Sequence, residues 1–243
     1  MHTVFRFLRQ LLLTVLLLAL LALVAAGGYF AVTGHKLYES AIQVTPIDTL
    51  YSSISSREGF VPYAQLPQTY INAVISAEDS RFTHHKGVDP VSIARALVTD
   101  LRTGSFAEGG STITQQVVKN NLLTSEQSLE RKILEAGLAL VVEIHYSKDE
   151  ILEMYLNTTF LGAGATGVQQ ASETYYGLEP SQLSLSEAAA LAGLPYAPSA
   201  LNPFDNPEGC RERRNLVLER MNEQGMITEG EMREAQRQGL HLR

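Results

Sequence analysis

Two glutamates, Glu78 and Glu135, stand in polar motifs that are separated by a third polar segment at residues 109–120. The third segment contains Lys119, and Arg131 precedes the second glutamate by four residues. A positioned carboxylate can act as a general acid or base, and preorganised cations stabilise negative charge on a leaving group. These residue types therefore indicate acid/base chemistry on a substrate whose leaving group is anionic.

The first glutamate follows an apolar helical pattern made by Ile71, Val74 and Ile75, and Asp79 comes directly after it. A carboxyl at the edge of an apolar helix end can have a raised pKa, which suits an acid or a base. The alternative is an ordinary solvated helix end. However, two acidic residues at the C-terminal end of a helix oppose the helix dipole, which favours a functional role.

His84 and His85 raise the question of a metal site. Their nearest acidic neighbours, such as Asp89, do not complete a known ligand spacing such as His-Glu-x-x-His. We therefore expect no zinc site fixed by the protein, and a histidine that stabilises the local loop instead.

The polar segment between the two glutamates has the composition of an anion site. Thr112, Gln116 and Lys119 are spaced by four and three, so they share one face of a helix. Donors at a helix start can hold phosphate oxygens, and the preceding glycines allow close backbone approach. The glycines are not followed by the Lys-Ser/Thr of a nucleotide-binding P-loop, which disfavours an NTPase. The alternative is an exposed polar loop.

The second glutamate lies on a predicted long helix. Arg131 and Glu135 are four residues apart, so they could form an ordinary surface ion pair of small energy. Against this stands an apolar pattern on the same helix, which predicts that the helix is mostly buried. A charged stripe on a buried helix must face a cleft or a partner. The apolar positions expected in the core are Leu129, Ile133, Ala136, Leu140 and Ile144.

Composition restricts the function classes. The net charge is −7 and no block of lysine and arginine dominates any segment, which argues against nucleic acid as a partner. Cys210 is the single cysteine, so no intrachain disulfide can form.

The N-terminal region predicts a membrane anchor. Arg6 and Arg9 precede an apolar run at 11–32, which is long enough because a span needs about 20 residues. The alternative is a signal peptide cleaved near residues 24–26. The predicted division is a cytoplasmic N-terminus at 1–10, an anchor at 11–32, a linker at 33–49 and one domain at 50–243.

After the linker, the chain is predicted to be mainly α-helical, with one short strand within 44–54. Capping boxes and prolines indicate most of the helix starts. Helices are predicted over 67–78, 90–102 and 112–120, after a capping box at 124–127, from Ser147, over 184–193, over 207–225 and from Thr228.

In this order, the motifs resemble those of the peptidoglycan glycosyltransferases, glycosyltransferase family 51, which also form the front domain of class A penicillin-binding proteins. The resemblance covers nearly all of residues 45–225. The matching segments are Glu78-Asp79-x-x-Phe82-x-x-His85-x-Gly87, Gly109-x-Ser111-Thr112-Ile113-Thr114-Gln115-Gln116-x-x-Lys119-Asn120, Arg131-Lys132-x-x-Glu135, Lys148-x-x-Ile151-Leu152-x-x-Tyr155-Leu156-Asn157 and Ser186-Glu187-Ala188-Ala189-x-Leu191-Ala192-Gly193-Leu194-Pro195.

The resemblance implies a lysozyme-like helical domain and a role for each motif. Glu78 would be the general base, and Lys119 and Arg131 would stabilise a pyrophosphate leaving group. Glu135 would be a second essential carboxylate that orients the site or helps to hold a divalent metal. The other substrate-binding residues implied are Asp79, Phe82, His85, Ser111, Thr112, Gln115, Gln116, Asn120, Lys132 and Lys148.

The implied reaction polymerises lipid II into β-1,4-linked glycan strands by an inverting transfer that releases undecaprenyl diphosphate. No tightly bound cofactor is expected, although Mg²⁺ or Mn²⁺ could sit on the pyrophosphate. The expected location is the bacterial inner membrane, with a single span and a periplasmic catalytic domain. Cell-wall synthesis or division proteins are the expected partners. The chain length leaves no room for a transpeptidase domain, so a monofunctional enzyme is expected.

Two other functions fit parts of the pattern. A lytic peptidoglycan enzyme would also use a glutamate at a glycosidic centre, but it would not need cations for a pyrophosphate. A membrane-anchored scaffold without activity would not need Glu78, Lys119 and Glu135 together.

Overall fold

The protein is described by a computed structural model that covers residues 39, 45–103, 110–124 and 128–243. These residues form ten α-helices and no strand, with isolated bridges at Lys86–Val88 and Phe160–Thr166. The mainly α prediction is therefore confirmed for the described part of the chain. The helices are α1 (Leu50–Ser55), α2 (Gln68–Glu78), α3 (Pro90–Thr103), α4 (Ile113–Leu122), α5 (Leu129–His145), α6 (Lys148–Thr158), α7 (Gly167–Tyr176), α8 (Leu185–Gly193), α9 (Pro207–Glu223) and α10 (Glu229–Arg237).

Capping residues set where several helices begin, as the sequence predicts. Thr112, Ser147, Ser184 and Thr228 each accept a hydrogen bond from a backbone N–H three residues on, and a Gln or Glu side chain bonds back to each cap. These capping boxes satisfy donors that a helix start leaves without partners. The starts of α4, α6, α8 and α10 are therefore fixed by local chemistry.

Two local predictions are wrong, and one helix was not predicted. The segment predicted to contain a strand within 44–54 instead contains α1, where Leu50 and Ile54 share one buried face at helical spacing. Helix α7 is the one that was not predicted. The start of α5 is capped by Ser128, whose hydroxyl accepts from the Arg131 N–H. The predicted cap at 124–127 is therefore displaced, and residues 125–127 lie outside the described part.

Two groups of helices build the core. Helix α8 packs against α2 and α9, while α4 packs against α5 and α6. The interior includes Tyr70 of α2 and Tyr155 of α6, which are both fully buried. Helices α2 and α4 belong to different groups. The C-terminal end of α2 and the start of α4 meet where the two groups contact each other.

Helix α5 is oriented differently from the prediction. Leu129, Ile133, Leu140 and Ile144 are 64%, 43%, 48% and 81% exposed, so four of the five apolar positions expected in the core face outward, while Ala136 is half-buried. The buried face carries Leu134, Glu135, Leu138, Ala139 and Val142. The packing of α5 against α4 therefore buries the face that carries Glu135.

Several predictions fall outside the described residues. The cytoplasmic segment 1–10, the anchor 11–32 and most of the linker 33–49 are among them. Within the described part, none of the helices has the length and apolar composition that crossing a bilayer requires.

A tight turn before α3 brings the chain close to α5. Gly87 has a φ of +80°, and a Cβ atom there would lie 2.6 Å from the backbone oxygen of Ala139. The Gly87 carbonyl also accepts a hydrogen bond of 2.6 Å from the Thr112 hydroxyl at the start of α4. This turn therefore fixes how α4 and α5 sit relative to the end of α2.

We predict that Gly87→Ala lowers the free energy of unfolding by about 1–3 kcal/mol, because alanine is strained at positive φ and has no space there. Gly137→Ala is the matched control. A Cβ at Gly137 in α5 meets nothing within 4 Å, so alanine should stabilise that helix by up to about 1 kcal/mol. Denaturant titrations of both variants measure the difference. Equal stability of the two variants would contradict the close approach.

Candidate active site

Glu78 is the last residue of α2, and its carboxylate is held by a side chain of α4. Its Oε2 atom accepts a hydrogen bond of 2.6 Å from the amide of Gln116 in α4. Burial raises the pKa of Glu78 above the ordinary value of a glutamate. The bond from Gln116 and nearby cations act in the opposite direction. This balance suits a group that must take up a proton near neutral pH.

Three cations act on the Glu78 carboxylate. They are Arg213, Lys119 and Arg220, in decreasing order of their effect on its pKa. Arg220 also donates a hydrogen bond of 2.9 Å to the carbonyl of Ala77, next to the carboxylate-bearing residue. Cations at the C-terminal end of α2 complement the negative end of its dipole.

Two buried tyrosines lie on the inner side of Glu78. The charge of Glu78 and burial both raise the pKa of Tyr155, as they do for Tyr70. Both rings are almost fully buried, at 1% and 2% exposure. The Glu78 carboxylate therefore has buried aromatic protein groups near it.

Asp79 holds the end of α2 against the start of α4. Its carboxylate accepts the backbone N–H of Ile113 at 3.1 Å and faces Nε2 of His85 at 3.0 Å. Both side chains are buried. The loop-stabilising histidine expected from the sequence is thus His85, and Phe82 packs edge-on against its ring. Asp79 and His85 position Glu78 rather than line an open surface.

Glu135 lies in a second cluster and is itself almost fully buried, at 1% exposure, while the Lys132 side chain beside it is partly exposed. Lys132 donates to its Oε1 atom and also donates to the Ser111 hydroxyl at 2.7 Å. Arg131 donates to the Oε2 atom at 3.3 Å, and Gln115 donates to Oε1 at 3.3 Å. The carboxylate therefore fixes the positions of two cations.

Consecutive glutamines of α4 connect the two clusters. Gln115 donates to Glu135, and Gln116 donates to Glu78. Neighbouring residues on an α-helix point about 100° apart, so the two carboxylates lie around different sides of α4. One short helix therefore sets where both acidic groups stand.

The predicted site residues Lys119, Asn120 and Lys148 differ in their exposure and in their contacts. Lys119 and Asn120 are exposed at the C-terminal half of α4. Lys148 instead donates a 2.6 Å hydrogen bond to Glu143 and lies over the Phe82 ring, 4.1 Å from its centroid. In this conformation Lys148 supports the packing beneath the site.

The donor groups around Glu135 do not fit a metal ion. Both oxygens of its carboxylate accept hydrogen bonds from cations or an amide. A divalent ion requires carboxylate oxygens that are free to coordinate it. The groups of at least three His, Cys, Asp or Glu residues that could hold a metal are also absent from the described residues.

Sequence reasoning missed the arginines of α9 and the tyrosines beneath Glu78. Arg213 and Arg220 are seven residues apart and therefore share a helix face, which is a weak signal on a helix with many charges. Tyr155 stands in a motif that the sequence analysis assigned only in outline. The influence of Glu78 on the pKa of Tyr155 depends on tertiary packing, since the two residues lie on different helices.

Known proteins are similar to this chain over most of its length. The family model described as Transglycosylase matches residues 45–222. Penicillin-binding protein 1A of Aquifex aeolicus is 49% identical over 187 residues, which cover 76% of this chain and 26% of the relative. Penicillin-binding protein 1A/1B of Bacillus subtilis is 39% identical over 241 residues, covering 94% of this chain and 26% of the relative.

A third relative, penicillin-binding protein 1A of Pseudomonas aeruginosa, is 50% identical over 167 residues, which cover 69% of this chain and 20% of the relative. The chain therefore spans about a quarter or less of the length of these curated relatives. All three alignments concern a domain-sized part of a longer protein.

Proposed function

Because the chain belongs to the transglycosylase family, we propose that it is a peptidoglycan glycosyltransferase with a lysozyme-like helical domain. It polymerises lipid II into β-1,4-linked glycan strands and releases undecaprenyl diphosphate. The observation that carries this proposal is a partly buried glutamate, Glu78, that is held by Gln116 and influenced by cations of α4 and α9. The relatives are far longer than the matched stretch, so the proposal concerns glycosyl transfer alone.

Glu78 is the general base. Its carboxylate takes the proton from the acceptor 4-hydroxyl as the hydroxyl oxygen bonds to the anomeric carbon of the donor sugar. The bond from that carbon to the diphosphate oxygen breaks on the opposite face, so the configuration inverts. Gln116 fixes one carboxylate oxygen by its 2.6 Å bond and leaves the other to receive the proton.

Lys119, Arg131 and Lys132 stabilise the diphosphate that leaves. Lys119 is exposed, and the Nε–H of Arg131 is buried without a hydrogen-bond partner. A buried donor without a partner is costly, and a phosphate oxygen would satisfy it. Glu135 holds Arg131 and Lys132 in place, which makes it an orienting group in this mechanism.

A divalent cation, where the reaction uses one, is carried on the diphosphate of the substrate. The contacts around Glu135 give no reason to route a step through a protein-bound metal. Mg²⁺ characteristically binds substrate phosphates together with water, with few protein ligands.

The substrate is lipid-linked, so we propose that the outward apolar face of α5 meets the membrane surface. This face consists of Leu129, Ile133, Leu140 and Ile144. Helix α3 also exposes the apolar residues Val91, Ile93 and Val98. Arg131 and Lys132 lie on the same helix, so the diphosphate cations stand beside the surface that would contact lipid.

The proposed location is the inner membrane of a bacterium, with residues 11–32 as a single span and the catalytic domain in the periplasm. Cell-wall synthesis or division proteins are the proposed partners. The helix-end site and its cations support a substrate at the membrane surface. A parallel incubation with finished wall distinguishes the other two functions: a lytic enzyme would degrade the wall, and a scaffold would change neither the wall nor lipid II.

We predict that Glu78→Gln lowers strand synthesis by about 10²–10⁴-fold, because the amide cannot accept the proton. The assay uses labelled lipid II, with products resolved on a gel, and thermal unfolding checks that the variant is folded. Glu173→Gln, an exposed glutamate on α7, is the control and should keep full activity. Substantial synthesis by Glu78→Gln would remove the base assignment.

We predict that Lys119→Ala and Arg131→Ala each lower turnover by about 10²–10³-fold, since each removes a cation from the leaving group. The exposed Arg233 of α10 pairs only with Glu229, and Arg233→Ala should leave turnover unchanged. Single-turnover rates with lipid II separate this loss from weaker binding. Near-normal rates in both variants would place the diphosphate elsewhere.

The chain contains no tryptophan, so a single introduced tryptophan reports its own surroundings. We predict that Ile144→Trp in proteoliposomes is quenched by brominated lipids, because the α5 face contacts the bilayer. Leu216→Trp on α9 is the control, since Leu216 is 49% exposed on a helix outside the proposed contact. Quenching of neither tryptophan, or equal quenching of both, would contradict this orientation.

A further inference from the structure

Two arginines of α9 face the C-terminal end of α2. Arg213 and Arg220 are seven residues apart, which is about two helical turns, so they lie on the same face. Arg220 donates to the carbonyl of Ala77 at 2.9 Å. Both arginines act electrostatically on Glu78, and Arg213 has the largest effect of the three nearby cations.

The position of Arg213 is closely defined by its neighbours. Its Nε–H donates to the carbonyl of Gly193 at 3.3 Å, and its guanidinium lies 4.4 Å from the ring centroid of Tyr196. A Cβ atom at Gly193 would lie 2.8 Å from Cγ of Arg213. Side-chain packing of this kind holds a charge in one place, which a freely moving surface arginine cannot do.

Burial makes the charged form of the Arg213 guanidinium less favourable. Burial lowers the pKa of Arg213, and the charge of Arg220 lowers it further, while the charge of Glu78 raises it. Among the described residues, no carboxylate lies within 4 Å of either arginine. The pair therefore acts on Glu78 through space, without an ion pair that would occupy its carboxylate.

The position of Glu78 explains why its carboxylate needs two nearby cations. Burial and the negative end of the α2 dipole both disfavour an ionised carboxylate there. Lys119 is the other cation near Glu78, but the proposed mechanism commits Lys119 to the diphosphate. An anion bound to Lys119 would weaken its effect on the base at the moment when the base is needed.

We infer that Arg213 and Arg220 are positioning residues that keep Glu78 ionised and fixed for proton transfer while Lys119 is engaged by the diphosphate. This inference rests on the proposed function. Arg220 fixes the backbone through Ala77, and Arg213 supplies a field from the side of α9. The groups that face Glu78 are Gln116 and Lys119 from α4, Arg213 and Arg220 from α9, Tyr70 from α2 and Tyr155 from α6.

The test is the pH dependence of kcat/KM with lipid II for the full-length protein. Removing a cation beside a carboxylate raises the pKa of that carboxylate, and the base works only when ionised. Arg213→Gln should therefore move the acid limb of the profile to higher pH, with a loss of about three-fold or more at a fixed pH on that limb. Arg213→Lys retains the charge and should restore most of the profile.

Arg211→Gln is the matched control on the same helix, because Arg211 is exposed and pairs with Glu208. The Arg211→Gln variant should have the same acid limb as the unchanged protein. A purely structural role for Arg213 would lower the thermal midpoint without moving the acid limb. If Arg213→Gln does not fold, Arg220→Gln carries the same test.

A second readout separates this inference from the proposed function. Carbon-13 NMR of protein labelled at the glutamate side-chain carboxyls follows the titration of Glu78 directly, and the resonance missing from Glu78→Gln assigns it. An upward shift of that titration in Arg213→Gln supports the inference even if the protein makes no strands. An identical titration in Arg213→Gln and the unchanged protein would overturn it.

Discussion

The arrangement of this protein depends on keeping a carboxylate ionised at the negative end of a helix. Glu78 ends α2, where the helix dipole and burial both act against its charge. Gln116 must come from α4 and two arginines from α9 to offset these effects. Helices α2, α4 and α9, which are distant in sequence, therefore have to meet at the Glu78 carboxylate. The neighbouring Asp79 supports that convergence, since it binds the backbone of α4 and His85.

Helix α4 transmits this constraint to the second carboxylate. The Gln115 side chain accepts from the Thr112 N–H at the helix start and donates to Glu135. The cap that begins α4 is thus also a support for the cation cluster on α5. Because Thr112 in turn binds the carbonyl of Gly87, a shift of the turn before α3 would displace both clusters together. The site is therefore specified by one connected hydrogen-bond network that includes the helix start.

Local chemistry explains what the sequence could predict. Capping boxes at Ser147, Ser184 and Thr228 depend on residues three apart, so they can be recognised without tertiary information. The face that α5 buries could not be recognised in this way, because the aliphatic residues Leu140 and Ile144 are the ones left outside. The effect of Arg213 on Glu78 links residues 135 positions apart and depends on how α9 packs. The residue types of the site were therefore predictable, while the supporting arginines were not.

Two features were not predicted from the sequence: the outward apolar face of α5 and the arginines of α9 near Glu78. They have a common physical origin. A soluble enzyme would normally bury Leu140 and Ile144, and an isolated helix would normally leave Arg213 in water. Here the apolar side chains face outward and the guanidinium is packed between Gly193 and Tyr196. Both departures fit the proposed substrate, which has a lipid tail and a charged diphosphate. The outward face of α5 suits the tail, the cations of α4 and α5 suit the diphosphate, and the arginines of α9 remain free to act on the base.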